Sequence, residues 1–141
     1  MATTATLIDI PAKYLFGFGL DQMKALQKAF AWYDRAPVVP TTYTASGAIT
    51  VAFGNNIIAK TGSLAAMTLA APTTAQNGTV MRITSSTAFA HTITATGLFD
   101  NGVTGGSKNT ATFAAFPGAS ITVMAVGGKW NVLALQNVTV A

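Results

Sequence analysis

The 141-residue sequence contains no cysteine, no glutamate and only one histidine. Without cysteine the chain can form no disulfide, no thiolate zinc site and no thiol nucleophile. Four aspartates are its only acidic side chains, so a carboxylate pair for glycoside hydrolysis or a calcium shell would use most of that supply. We therefore expect no catalytic residue, no metal, no cofactor and no enzyme activity.

Charge is also scarce. Charged residues make up 9% of the sequence and hydrophobic residues 50%, whereas an average soluble domain is about 25% charged. No uninterrupted apolar run reaches the length of a membrane span, and residues 1–11 lack the pattern of a secretory signal. The eight basic residues are spread along the chain, so we expect neither a nucleic-acid nor a membrane partner. Such a composition is typical of a subunit inside an assembly.

The composition changes around Pro37–Pro40. Three of the four aspartates precede this point, and a Thr-, Ala- and Gly-rich stretch follows it. We interpret residues 1–40 as an N-terminal arm and residues 41–141 as a β-domain.

The arm contains one predicted helix, over residues 21–35. Asp21 is a suitable N-cap, and residues 22–35 contain neither glycine nor proline. Apolar residues recur there at helical spacing, and Pro37 ends the pattern. An aromatic, uncharged segment precedes the helix. We predict that the arm binds a partner through Tyr14, Leu15, Phe16, Phe18, Met23, Leu26, Phe30, Trp32 and Tyr33.

After Pro40 the apolar period shortens towards two. Residues 49–53, 80–84 and 91–96 alternate between apolar and polar, and turn-forming pairs such as Asn77-Gly78 separate the runs. Short β-rich runs between frequent turns predict an all-β domain. We expect an antiparallel β-sandwich or a jelly-roll-like barrel.

The clearest local prediction is a hairpin over Ile121–Leu135. Two apolar strands flank Gly127-Gly128, and paired glycines accommodate the positive φ angles of a type I′ turn. Both strand faces carry apolar residues, so we expect both faces to be covered, either at a central position in a sandwich or at a subunit interface. Trp130, just after the turn, is interpreted as a core residue in preference to a base- or sugar-stacking one.

Three further features have plain structural interpretations. His91 is expected to be a strand histidine bonded to a hydroxyl or carbonyl, although a Ser–His pair with nearby Ser85 or Ser86 stays open. Asp100 is expected to form a turn beside Asn101-Gly102. Gly102–Lys108 lacks the spacing of a phosphate-binding loop and is interpreted as a loop between strands.

Residues 64–141 carry a recognisable series of motifs. It runs from Leu64–Pro72 through Gln76–Ile83 and Ala90–Gly97 to Gly127–Leu133. This series resembles small structural proteins of tailed-phage virions, particularly head-decoration (cement) proteins. A similar series occurs in phage fibre and spike modules.

The resemblance implies a homotrimeric β-domain on the outer capsid surface of the virion. There it would bridge subunits of the major capsid protein and stabilise the shell, while the arm reaches onto neighbouring subunits. Many decoration proteins lack a long helix in the arm, so residues 21–35 depart from that pattern. The alternative is a tail fibre, spike or baseplate module that binds a host receptor or another tail protein.

Overall fold

The computed structural model describes residues 39–103 and 106–141. The predicted arm, its helix over 21–35 and its nine proposed interface residues lie outside these ranges. The described chain is mainly β, as predicted. Its ten strands are β1 (Thr41–Tyr43), β2 (Gly47–Ala48), β3 (Gly54–Ile58), β4 (Ala66–Thr68), β5 (Val80–Ser85), β6 (Thr92–Asp100), β7 (Lys108–Phe113), β8 (Ser120–Val126), β9 (Lys129–Gln136) and β10 (Val138–Val140).

These strands form one mixed, strongly curled half-barrel sheet. The strand order is β1-β3-β5-β8-β9-β6-β4-β2, and β7 pairs with both β6 and β10. Within the described ranges the only helical element is one turn of 3₁₀ helix, Thr74–Gln76. The prediction of an antiparallel sandwich or jelly roll therefore needs correction, because the first six strands pair only in parallel with one another.

The parallel pairing has a topological cause. The chain alternates between two flanks of the sheet, so that β1, β3 and β5 are neighbours on one flank and β2, β4 and β6 on the other. Each strand on a flank is reached only after the chain has crossed to the opposite flank and back, which returns it in the same direction. Apolar alternation predicts which face of a strand is buried, but it carries no information about strand direction.

The core lies under one face of the sheet, and burial follows the two-residue period of each strand. In β5, Met81 and Ile83 are buried while Val80 and Arg82 are exposed. Fully burying such a side chain contributes about 1.5–3 kcal/mol. The largest apolar side chains in the core are Trp130, Phe99, Phe113, Ile58, Met67, Met81, Ile83, Ile93, Ile121 and Val123.

Strand β6 joins the two flanks into a single sheet. Its first residues pair with β4, and its last residues, Phe99 and Asp100, pair with β9. Gly97 lies between the two parts and has a φ of +68°, a conformation that glycine adopts without steric cost. The pairing with β7 also shifts register between Thr94 and Phe99. The strand therefore changes partner where the glycine allows it to bend.

The hairpin predicted around Gly127-Gly128 is confirmed. Val126 pairs with Lys129 across the two-residue turn, and the glycines have φ values of +57° and +80°. Within the single chain both faces are not covered, because Val126 and Leu133 are 41% and 53% exposed, and covering by another subunit stays a prediction. The pairing shifts between Thr122 and Val123, and this irregularity accompanies the exposure of Leu133 on β9.

Candidate functional site

Two polar features stand out among the described residues: a buried hydrogen-bonded cluster around the only histidine, and a groove on the outer face of β3 and β5. The nine arm residues predicted to bind a partner lie outside the described ranges, so their arrangement stays a prediction. Each of the two features is built from segments that are distant in sequence.

The first feature, which we call the histidine corner, consists of Lys60, Ala65, Thr87 and His91. The His91 ring is fully buried. Its Nδ1 accepts the backbone N–H of Ala65 at 2.8 Å, and its Nε2 lies 2.7 Å from the Thr87 hydroxyl. That hydroxyl lies 3.0 Å from the Lys60 carbonyl, to which it donates.

These contacts define one tautomer of the ring. Because Nδ1 accepts the Ala65 amide, the neutral ring carries its proton on Nε2. Nε2 then donates to the Thr87 oxygen, whose own proton goes to the Lys60 carbonyl. Both ring nitrogens of His91 and the Thr87 hydroxyl therefore have hydrogen-bond partners. The expectation that His91 bonds to a hydroxyl is confirmed, and the hydroxyl is that of Thr87. Ser85 donates instead to the Thr87 carbonyl, at 2.8 Å.

The corner also shifts the ionisation of His91. Burial lowers the pKa of His91, because the charged imidazolium would lose its hydration inside the protein. The nearby positive charge of Lys60 lowers the pKa of His91 further. The neutral ring is therefore the form that this structure favours. A neutral, enclosed imidazole is suited to holding two chain connections together.

The corner continues towards the first flank through Lys60. The Lys60 ammonium donates to the Leu64 carbonyl at 2.9 Å and to the Ser46 hydroxyl at 3.1 Å. The Ser46 oxygen also accepts the Ala66 N–H, at 3.1 Å. The connections β1–β2, β3–β4 and β5–β6 are thus linked by side-chain hydrogen bonds at this end of the sheet.

The second feature is a shallow groove of about 380 Å³. It lies over β3 and β5, and its one charged lining residue is Arg82. Because Asn55 pairs with Arg82, and Arg82 with Thr122, these three side chains form a row across the outer face of the sheet. The residues lining the groove are Pro40, Asn55, Asn56, Ile57, Arg82, Thr84 and Ser86.

One wall of the groove is rigid. Asn56 is buried, and its amide group donates to the Val51 carbonyl at 3.2 Å. Its amide oxygen accepts the Tyr43 hydroxyl at 3.3 Å. The Arg82 guanidinium is exposed, and its contact with the described residues is a long one, 3.4 Å, to the Ser120 hydroxyl. The groove can therefore offer a guanidinium and neighbouring amide and hydroxyl groups to a polar or anionic ligand.

The remaining sequence predictions concern Trp130, Asp100 and the following loop. Trp130 is fully buried and donates its indole N–H to the Ala70 carbonyl at 2.9 Å, which confirms a core position. Asp100 accepts the Gly102 N–H at 3.3 Å, as expected of a turn former. Of the stretch interpreted as a loop, the described residues 102–103 and 106–107 lie between β6 and β7, and Lys108 is the first residue of β7.

Within residues 39–103 and 106–141, no three His, Cys, Asp or Glu side chains approach closely enough to hold a metal ion. The same part of the chain has no helix long and apolar enough to cross a membrane.

The surface of the described chain has few charges and several apolar side chains. From residue 39 onwards the sequence holds four basic residues and one aspartate. The exposed large hydrophobic residues are Val39, Phe53, Leu64, Val80, Val103, Phe116, Val126, Leu133 and Leu135. Few charges oppose the contact of such a surface with another protein.

The chain matches no protein-family model. A search of curated proteins finds no match either.

The sequence pattern predicted a hydroxyl or carbonyl partner for His91, but neither its contact with Ala65 nor the groove. Ala65 and His91 are 26 residues apart, and no local pattern connects them. A signal for the groove was present in the alternation of β5, because Arg82 falls on the polar side of that strand between Met81 and Ile83. Its neighbours across the strands depend on pairing that the sequence pattern does not reveal.

Proposed function

We propose that this protein is a head-decoration (cement) protein of a tailed phage. It binds the outer capsid surface as a homotrimer and bridges subunits of the major capsid protein. No reaction is involved. Separating capsid subunits must also break decoration contacts, and each contact after the first is intramolecular, so several weak contacts together hold strongly.

The observation that carries this proposal is the surface of the β-domain. Its few charges and its exposed apolar side chains suit a protein that works in contact with other subunits. The resemblance of residues 64–141 to phage virion proteins supports the same function. Without metal-binding clusters in the described residues, a binding role is also the simpler reading of the polar features.

The arm would supply much of the binding energy. Its uncharged aromatic run and the apolar seam of the proposed helix over residues 21–35 provide a surface that needs a partner. At about 25 cal/mol per Å² of apolar area, several buried aromatic residues contribute a few kcal/mol per arm after ordering costs.

The direct test is to mix the purified full-length chain with undecorated capsids of the phage that encodes it and to image them by cryo-electron microscopy. We expect ordered density at every local threefold axis of the shell. Density absent from the shell, with the protein found on tails of intact virions, would contradict the proposal. Analytical ultracentrifugation tests the trimer independently and should give three times the chain mass.

Full-length variants test the arm. Replacing Phe16, Phe18 and Phe30 together by serine should weaken capsid binding at least tenfold, because three buried aromatic contacts are lost. The matched control replaces Lys24 and Lys28 by alanine, since these residues lie off the apolar seam, and should bind like the wild type. Equal binding by both variants would show that the arm is not the contact surface.

A second function is favoured by one structural observation. Strands β1, β3 and β5 stack in parallel, as do β2, β4 and β6, and repeated parallel stacking is the way in which elongated β-solenoids are built. A fibre, spike or baseplate module would use this geometry and would present the Arg82 groove to a host glycan. Binding of the chain to host cells, lost in Arg82→Gln and retained in Lys129→Gln, would favour this alternative.

A further inference from the structure

The histidine corner links two chain connections to one another. Residues 59–65 connect β3 to β4, and residues 86–91 connect β5 to β6. The buried His91 ring accepts the Ala65 amide on one side, and its other nitrogen reaches the Lys60 carbonyl through the Thr87 hydroxyl. A single imidazole therefore fastens the first connection at both ends.

A second proton on the ring is incompatible with these contacts. The imidazolium carries an N–H on both nitrogens, so that the protonated Nδ1 would point at the Ala65 N–H. Two donors would then face one another across a distance of 2.8 Å. The Ala65 amide would lose its acceptor inside a buried site, which costs about 1–3 kcal/mol.

The surroundings offer the added charge no compensation. The described segments in contact with His91 are residues 59–66 and 85–90, which supply Ala65, Thr87 and Phe89 beside its ring, and the end of β7, where the Phe113 N–H donates to the His91 backbone carbonyl. Among these described segments the charged side chain is Lys60, which is also positive. Asp100 and Lys108 lie at the other ends of β6 and β7, and the C-terminal Ala141 bonds to Asn109 and Thr110.

Besides the histidine corner, the connection is held by backbone hydrogen bonds of Ala59 and Ala65 at its two ends and by the Lys60 ammonium, whereas its middle residues bury little surface. Gly62, Ser63 and Leu64 are exposed, and Leu64 is 49% accessible. Releasing these residues from the sheet exposes little apolar surface beyond Ala65. Segments with few buried contacts open locally, at a lower free energy than global unfolding.

We propose that the histidine corner is an acid-sensitive latch. Protonation of His91 releases residues 59–65 from the rest of the sheet, while the hairpin of β8 and β9 stays folded. The latch is closed above about pH 6.5, where a free imidazole is neutral. It opens progressively as the pH falls, because the opened ring takes up a proton that the closed ring excludes. This inference does not depend on the proposed virion function.

Nuclear magnetic resonance of the isotope-labelled full-length wild type tests the latch directly. At pH 7 the ring should carry its proton on Nε2, and a scalar coupling across the hydrogen bond should connect the Ala65 amide nitrogen to His91 Nδ1. Between pH 6.5 and 5, the hydrogen-exchange protection factor of Ala65 should fall by up to about tenfold per pH unit, as uptake of one proton requires. The Val123 amide in β8 should remain the better protected of the two throughout.

Three outcomes would overturn the proposal. A protection factor of Ala65 that is unchanged between pH 7 and 5 would show that ring protonation does not open the connection. Equal protection of Ala65 and Val123, falling together, would show cooperative unfolding and no separate latch. A proton found on Nδ1 at pH 7 would contradict the hydrogen bonding from which the latch is inferred.

A pair of lysine variants tests the electrostatic part. Lys60→Gln removes the positive charge nearest the ring, so the closed form tolerates the imidazolium better, and the pH-dependent loss of protection at Ala65 should become smaller. Lys108→Gln removes a charge at the far end of β7 and should leave that loss as in the wild type. The same loss in both variants would contradict the role assigned to Lys60.

Discussion

Strands β7–β10 and strands β1–β6 of the described domain are connected in different ways. In β7–β10 the strands pair antiparallel within that set, and the turn between β8 and β9 needs only two glycines. In β1–β6 the chain crosses between flanks, and its connections are held by side-chain hydrogen bonds between distant residues, above all at the histidine corner.

The difference shows what each kind of pairing requires. In a hairpin the chain returns directly alongside the strand it has just left, so the two strands satisfy each other's backbone hydrogen bonds. A suitable turn and apolar packing are then enough to hold them. A crossing connection leaves polar backbone groups near the core with no adjacent strand to satisfy them. Side chains such as those of His91, Thr87 and Asn56 satisfy them instead. We therefore expect the hairpin to be destabilised most by removing buried apolar groups. The connections that cross between the flanks should be destabilised most by removing the polar side chains that hold them.

The largest effect is expected in the hairpin region, from Trp130→Ala. The indole is fully buried and bonds to the Ala70 carbonyl, so its removal leaves a cavity and an unpaired carbonyl. The free energy of unfolding should fall by about 3–5 kcal/mol, measured by urea denaturation. Leu133→Ala on the same strand is the control and should cost less than about 1 kcal/mol, because Leu133 is half exposed. Similar losses in the two variants would contradict the assigned core position.

The next largest effect is expected in the crossing region, from Thr87→Val. The variant keeps the shape of the side chain but removes the oxygen between His91 and the Lys60 carbonyl. It should cost about 1–3 kcal/mol, because two buried polar groups lose their partner. Thr112→Val, at an exposed position of β7, should change stability by less than about 0.5 kcal/mol. If neither variant changed the free energy of unfolding in urea, the connections between the flanks would not depend on these polar groups.

The stability of the crossing region should also depend on pH, through His91. The pKa of His91 is lowered in the folded state, so the unfolded chain binds more protons just below pH 6.5. The contribution of His91 is therefore complete above that pH and is lost as the pH falls, by at most about 1.4 kcal/mol per pH unit. Urea denaturation at pH 7.5, 6.5 and 5.5 checks the slope. Stability that rises on acidification over this range would contradict the stated direction of the shift.

The smallest effect is expected at the tight turn. Gly127 has a φ of +57°, which costs an alanine about 1–2 kcal/mol. Gly127→Ala should therefore destabilise the protein by about 1 kcal/mol, whereas Gly127→Asn should cost less, because asparagine tolerates this conformation. Thermal unfolding followed by circular dichroism compares the two variants. An alanine variant as stable as the asparagine variant would show that the turn can relax.

The sequence pattern predicted much of the local structure and little of its assembly. The hairpin at Gly127-Gly128, the core position of Trp130 and the turn at Asp100 all follow from residues close together in the chain. The sandwich was predicted because alternating strands with frequent turns usually pair antiparallel. The parallel flanks could not be predicted, since pairing direction depends on where each connection crosses.

Composition and apolar spacing are sufficient to indicate that this chain is mainly β, that it has no thiol chemistry and that alternating strands such as β5 bury one face. These properties follow from composition and from a period of two residues, which are local. The pairing of β3 with β5, the position of Arg82 in a groove beside Asn55 and the hydrogen bond from Ala65 to His91 depend on the folded sheet. Such contacts join residues far apart in the chain, and they exist only after the sheet has curled and closed around its core.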